Sequence, residues 1–139
     1  MFEILRTVYF LFYLFLFFYF FSCKKEDQKL VITDSLIGSW ELRSSFNGLT
    51  GQHQDYPEGN GNILIFDGLN YKIYSNGELI NNGAYKVIRE KSVVTKKEVY
   101  KLIYDGEFDA IKNVVDVTGD KLTYAVDAFD GSISIYKRK

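Results

Sequence analysis

Gly38-Ser39-Trp40-Glu41-Leu42-Arg43-Ser44-Ser45-Phe46 alternates with a period of two: Trp40, Leu42 and Phe46 fall on one face, Glu41, Arg43 and Ser45 on the other. That is the pattern of a strand with one face in a core and one in water. The same grammar continues downstream. Asn62-Ile63-Leu64-Ile65-Phe66 and Tyr71-Lys72-Ile73-Tyr74 flank Asp67-Gly68-Leu69-Asn70, a tight hairpin connection. Ser75-Asn76-Gly77 turns the chain into Glu78-Leu79-Ile80, and Asn81-Asn82-Gly83 leads into Ala84-Tyr85-Lys86-Val87-Ile88, the Asn-Gly pairs suiting turns that need positive φ. In Lys97–Tyr104, Tyr100, Leu102 and Tyr104 share a face. Residues 110–117, 121–126 and 132–138 complete the set.

These nine short stretches are read as eight strands in about a hundred residues, with no long helical period, and so as an all-β domain. Eight antiparallel strands on short turns close into an up-and-down barrel that removes exposed edges, its interior either filled or holding one small ligand. A two-sheet β-sandwich is the alternative. Alternation nominates Trp40, Leu42, Phe46, Ile63, Ile65, Tyr71, Ile73, Tyr85, Val87, Tyr100, Leu102, Tyr104, Leu122, Tyr124, Ile133 and Ile135 for the interior. Tyr71, Tyr85, Tyr100, Tyr104 and Tyr124 are the candidates to line a ligand cup, because a buried phenol needs a hydrogen-bond partner. Residues 47–61 are rich in turn formers and carry no strand pattern. A lid or Ω-loop and plain disorder both fit them.

Upstream, Cys23 divides the chain. Eight of the twelve Phe residues precede it, and Val8 to Phe21 is an unbroken apolar run of 14 residues. As a helix this run spans roughly 21 Å, short of a hydrocarbon core of roughly 30 Å. Arg6 before it and small Ser22 after it complete the layout of an export signal; an uncleaved signal-anchor is the competing reading. Cys23 is the sole cysteine, so no internal disulfide is available. The expected organisation is a signal peptide over 1–22, a charged linker over 23–35 and a barrel domain over 36–139.

Phe20-Phe21-Ser22-Cys23 resembles the lipobox of bacterial lipoproteins, with Phe where the usual box has Leu and a small residue. The resemblance implies a diacylated, palmitate-bearing Cys23 as the new N-terminus, each buried CH₂ holding the protein at the membrane by about 0.8 kcal/mol. Lys24-Lys25-Glu26-Asp27 is similar to the surface-export signal of Bacteroidetes lipoproteins, and is equally the composition of a solvated linker. The domain resembles the small lipocalin-like domains of such lipoproteins. It shares their Gly-x-Trp opening (Gly38, Trp40), a Phe-x-x-x-x-Tyr hairpin (Phe66, Tyr71), a Gly-x-Tyr strand (Gly83, Tyr85) and a closing Asp130-Gly131 followed by Tyr136 and Arg138. The resemblance implies Arg138 stacked on Trp40. With Ile133 and Ile135 inward, that stacking requires a bulge or bend.

Other chemistry finds little support. Glu3 and Arg6 offset each other, so the chain beyond residue 22 keeps the net charge of −1, which gives no field to attract nucleic acid. One His and one Cys leave no Cys-His pair and no His-rich metal set. His53 reads as a solvated loop residue, and Asp55, Glu58, Asp127 and Asp130 as loop carboxylates with no spacing that selects a catalytic pair. The expectation is a monomeric, non-catalytic lipoprotein of the outer membrane without cofactor or metal, holding a small apolar or amphipathic ligand, or else a solid-barrel interaction domain.

Overall fold

The computed structural model describes residues 31–107 and 111–139. The expected signal peptide over 1–22, Cys23 and the charged stretch after it lie outside the described residues. The elements are α1 (Val31–Leu36), β1 (Gly38–Phe46), β2 (His53–Asp55), β3 (Ile63–Asp67), β4 (Asn70–Ser75), β5 (Glu78–Lys91), β6 (Glu98–Tyr104), β7 (Asn113–Thr118), β8 (Lys121–Val126) and β9 (Ile133–Arg138). Each of β3 to β9 pairs antiparallel with its neighbour in sequence, and β9 returns to β1. The result is a closed barrel of eight strands, with β2 as a short additional strand beside the upper part of β1. The continuity of the sheet sets the sandwich aside.

The long loop over 47–61 therefore contains a strand, and its remainder is tied down beside β1. Tyr56 N–H donates to the Arg43 carbonyl at 2.8 Å and Leu42 N–H to the Asn62 carbonyl at 2.9 Å. Asn81-Asn82-Gly83 is not a turn either. Strand β5 runs straight through it, pairing first with β4 and then with β6. Gly83 is there for a different reason: a Cβ at this position would collide with the Asp105 carboxylate, which caps the Ala84 N–H at 2.9 Å. Asn76 and Gly77, with φ of 51° and 85°, do make the expected hairpin turn.

The core departs from the predicted alternation in two strands and part of a third. In β3, Leu64 and Phe66 are buried and Ile63 and Ile65 face away. In β9, Tyr136 packs on the core, leaving Ile133 40 % exposed and Ile135 on its face. In β1, the register against β9 slips between Leu42 and Ser44, so the bulge rotates Phe46 outward to pair with Ile133. Trp40, Leu102 and Leu122 are buried as expected, joined by Leu36 and Val115. Helix α1 closes the Trp40 end of the barrel, with Ile32 and Leu36 buried.

The β5–β6 hairpin is held by its tip. Asp127, just past β8, accepts from Ser92 Oγ at 2.6 Å and from Val93 N–H at 2.7 Å, while Ser92 Oγ accepts from the Thr95 N–H at 2.9 Å. Burial raises the Asp127 pKa, but the Ser92 and backbone hydrogen bonds outweigh it and hold the carboxyl below its ordinary 3.8. Asp127→Ala is expected to cost about 1–3 kcal/mol at neutral pH. Because the folded pKa is lowered, the contribution is complete above 3.8 and fades as pH falls from 3.8 through the folded value. Urea unfolding of both proteins across that window should show the gap narrowing; a gap constant with pH would contradict the ionic origin.

Candidate functional site

The barrel interior has two levels. At the base, Leu36, Trp40, Leu64, Phe66, Leu102 and Leu122 are buried to 5 % exposure or less. Arg138 seals this end from outside. Its guanidinium carbon lies 4.1 Å from the Trp40 ring centroid, and its two terminal nitrogens donate to the carbonyls of Ile37 at 2.8 Å and Ser35 at 2.7 Å. Trp40 Nε1–H donates to the Leu36 carbonyl at 2.8 Å, so one ring ties β1 to α1. Gly38 has φ 141°, and a Cβ there would sit 2.5 Å from Arg138 Nη1. Gly38, Trp40 and Arg138 thus form one assembly without a bend in β9, because Tyr136 and Arg138 share the inward phase that the sequence assigned to the isoleucines.

Above that layer the interior changes to phenols. Tyr71 and Tyr104 meet edge to face, their centroids 4.5 Å apart. Tyr71 Oη–H donates to Asp105 Oδ2 at 2.8 Å. Tyr104 neighbours Tyr124 and Tyr136 as well, and the three face inward and are partly buried. The buried Tyr104 hydroxyl makes no close hydrogen bond among the described residues; the Tyr124 hydroxyl is its polar neighbour, near enough to take its proton in a long hydrogen bond. The row continues toward the 47–61 loop through Tyr56, whose hydroxyl is 3.4 Å from Ser45 Oγ.

Burial is the first cause of every shift in this row. It raises Tyr71 to about 12, helped by the Asp105 carboxylate, and Tyr136 to about 12, helped by Tyr124. Tyr104 is pushed up furthest, with Tyr124 the next cause, and Tyr124 itself is raised. All four phenols stay protonated at neutral pH and present O–H donors rather than phenolate oxygens.

Of the five tyrosines nominated from sequence, Tyr71, Tyr104 and Tyr124 come together. Tyr85 sits lower, edge-on to Phe66 with centroids 5.0 Å apart, its hydroxyl buried without a partner among the described residues. Tyr100 also packs on the core, with the Arg89 guanidinium carbon 5.8 Å from its ring centroid. Tyr136 and Asp105 were missed. The first was hidden by the phase error in β9; the second is a turn residue with φ 52° whose role appears only through the register of β4, β5 and β6. Among the described residues no group of three His, Cys, Asp or Glu side chains is placed to hold a metal ion. Comparison with protein-family models, curated proteins and solved structures finds no match in any of the three.

Proposed function

We propose that this chain is a lipocalin-like lipoprotein, tethered to the outer membrane through acylated Cys23, whose barrel holds a small amphipathic ligand without chemical turnover. The observation that carries the reading is the inward-facing row of protonated phenols, Tyr71, Tyr104, Tyr124 and Tyr136, with the buried Tyr104 hydroxyl set beside that of Tyr124. A ligand with an apolar body and an uncharged oxygen acceptor fits it, the body against the rings and the acceptor on Tyr104. Asp105 at the far side of Tyr71 disfavours an anionic head. The Gly38, Trp40 and Arg138 assembly supports the family resemblance, and the apolar run ending at Ser22-Cys23 supports the anchor.

Mass spectrometry of the detergent-extracted protein tests both parts. Loss of residues 1–22, acyl chains on Cys23 and a co-purifying small molecule are expected; an intact N-terminus with free Cys23 removes the anchor. Tyr104→Phe is expected to reduce ligand retention about tenfold with little change in stability, since the hydroxyl it deletes makes at most one long hydrogen bond within the protein. Equal retention would refute the hydrogen-bonding role.

A second reading, an interaction domain of the cell envelope, draws on Leu49 and Phe129. They are 77 % and 89 % exposed on two loops that touch where Gly48 abuts the carbonyls of Asp130 and Gly131. An extract free of any small molecule, with partner capture lost in Phe129→Ser, would favour it.

A further inference from the structure

The outer wall formed by β8, β9 and the end of β1 is apolar toward one end and basic toward the other. Strand pairing sets Phe46 opposite Ile133, and Ile133 opposite Ala125, all on the outer face. Phe46 and Ile133 are 39 % and 40 % exposed. The chain leaves Phe46 into the turn that carries Leu49 and reaches Ile133 from the loop that carries Phe129, the two most exposed large apolar side chains among the described residues. Those loops touch through Gly48, so the four side chains form one patch over the wall and its rim. Apolar side chains scattered singly over a surface need no explanation, but an adjoining set marks a contact face.

Further along the same face, Lys121 of β8 pairs directly with Lys137 of β9. Like charges set opposite each other weaken a sheet, so this pair does not serve stability. Asp120, 3.6 Å from Lys137 Nζ, offsets one of the two, while Glu41, across from Lys137 on β1, is held by Arg43 and the Gly59 N–H. The chain also enters the domain on this half of the barrel, because α1 packs against β7, the strand next to β8. Residues 23–30 reach at most about 28 Å, so a lipid on Cys23 holds the barrel within roughly its own diameter of the bilayer.

We propose that this wall lies against a phospholipid surface, with Phe46, Leu49, Phe129 and Ile133 entering the interface and Lys121 and Lys137 meeting lipid phosphates. The orientation takes its tether from the acylated Cys23 of the proposed function. Adhesion of this kind grows with the apolar area buried and is strengthened by cations placed to reach headgroups. Asp116 and Asp130 border the patch on its other sides, so the face suits a zwitterionic surface, which offers ammonium groups as well as phosphates, better than an anionic one.

The test couples the chain from Cys23 onward, through this sole thiol, to maleimide-bearing phosphatidylethanolamine in zwitterionic vesicles of phosphatidylethanolamine and phosphatidylcholine with brominated acyl chains. The coupling is chemical, so the result stands apart from whether the cell acylates Cys23, and every strand that closes the barrel follows that residue. Tryptophan reporters are introduced as Phe129→Trp on the rim and as Ile80→Trp on β5, an exposed position on the opposite wall, with buried Trp40 as their common background. Bromine is expected to quench the Phe129→Trp reporter by about half and the Ile80→Trp reporter by less than about a tenth. Lys121→Gln with Lys137→Gln should weaken the quenching about twofold and leave the fold intact, since it also removes a like-charge pair. No quenching of the Phe129→Trp reporter, equal quenching of both reporters, or quenching indifferent to the lysine replacements would each overturn the inference. So would a Phe129→Trp emission that shifts with protein concentration in lipid-free buffer, the mark of a second copy on this face.

Discussion

Trp40→Ala is expected to destabilise the protein by about 4 kcal/mol, the scale for deleting a fully buried large aromatic side chain. Trp40 is 0 % exposed and contributes three separable contacts: its faces fill the base of the barrel, its Nε1–H holds α1, and its outer face carries Arg138. Small domains are stable by only about 5–15 kcal/mol, so the variant should sit near the edge of folding. Arg138→Ala is expected to cost about 2 kcal/mol, since it loses the stacking and leaves the Ile37 and Ser35 carbonyls to water. Arg138→Lys should not rescue it, because an ammonium cannot span two carbonyls while lying flat on the indole. Urea unfolding of the single variants and the double variant closes a cycle. A coupling of about 0.5–2 kcal/mol is expected, and additivity would show that the stacking contributes nothing.

Glu41→Ala is expected to cost about 3–5 kcal/mol, although Glu41 lies on the polar face of β1. Its side chain is 1 % exposed. It accepts from Gly59 N–H at 3.1 and 3.2 Å, pairs with Arg43 at 2.9 Å, and has Lys139 3.7 Å away. Removal leaves the Arg43 guanidinium, one of whose nitrogens already lacks a hydrogen-bond partner among the described residues, without its close counter-charge. It also frees the loop that Asn60 pins through the carbonyls of Leu42 at 2.8 Å and Pro57 at 2.6 Å. Chemical denaturation should report the loss of stability, and limited proteolysis should report new cleavage between residues 47 and 61. Wild-type stability with an uncut loop would mean that the ion pair merely balances its own desolvation.

The barrel was legible because the turn residues and the alternation in β1, β4, β6 and β8 agree with each other. Where alternation misled, it had nothing to choose between. Ile63-Leu64-Ile65-Phe66 is apolar at every position, so no period selects a face, and the choice fell to Phe66 and Leu64 filling the space over Trp40. In β9 the two isoleucines suggested one phase and the Trp40–Arg138 pairing the other; the contacts of Tyr136 and Arg138 prevailed over β-branched preference. The bulge in β1 has no sequence mark, since Arg43 and Ser44 are ordinary strand residues, and it alone moves Phe46 outside. Helix α1 is a single turn and a half with no capping signature to announce it. Of the tyrosine row, the members on correctly phased strands were found; Tyr136 and Asp105 depend on partners brought from distant strands.

The assembly at the base also sets the order of events when the chain is made. Arg138 grips carbonyls 101 and 103 residues earlier, and β1 completes its pairing only with β9. No earlier strand can substitute, so β1 waits with an open edge until β9 has been synthesised. Contacts this far apart make ring closure the slow step of folding. A nascent chain lacking β9 is therefore a string of hairpins with an unpaired, Trp-bearing edge, the form most exposed to aggregation and to the attention of chaperones.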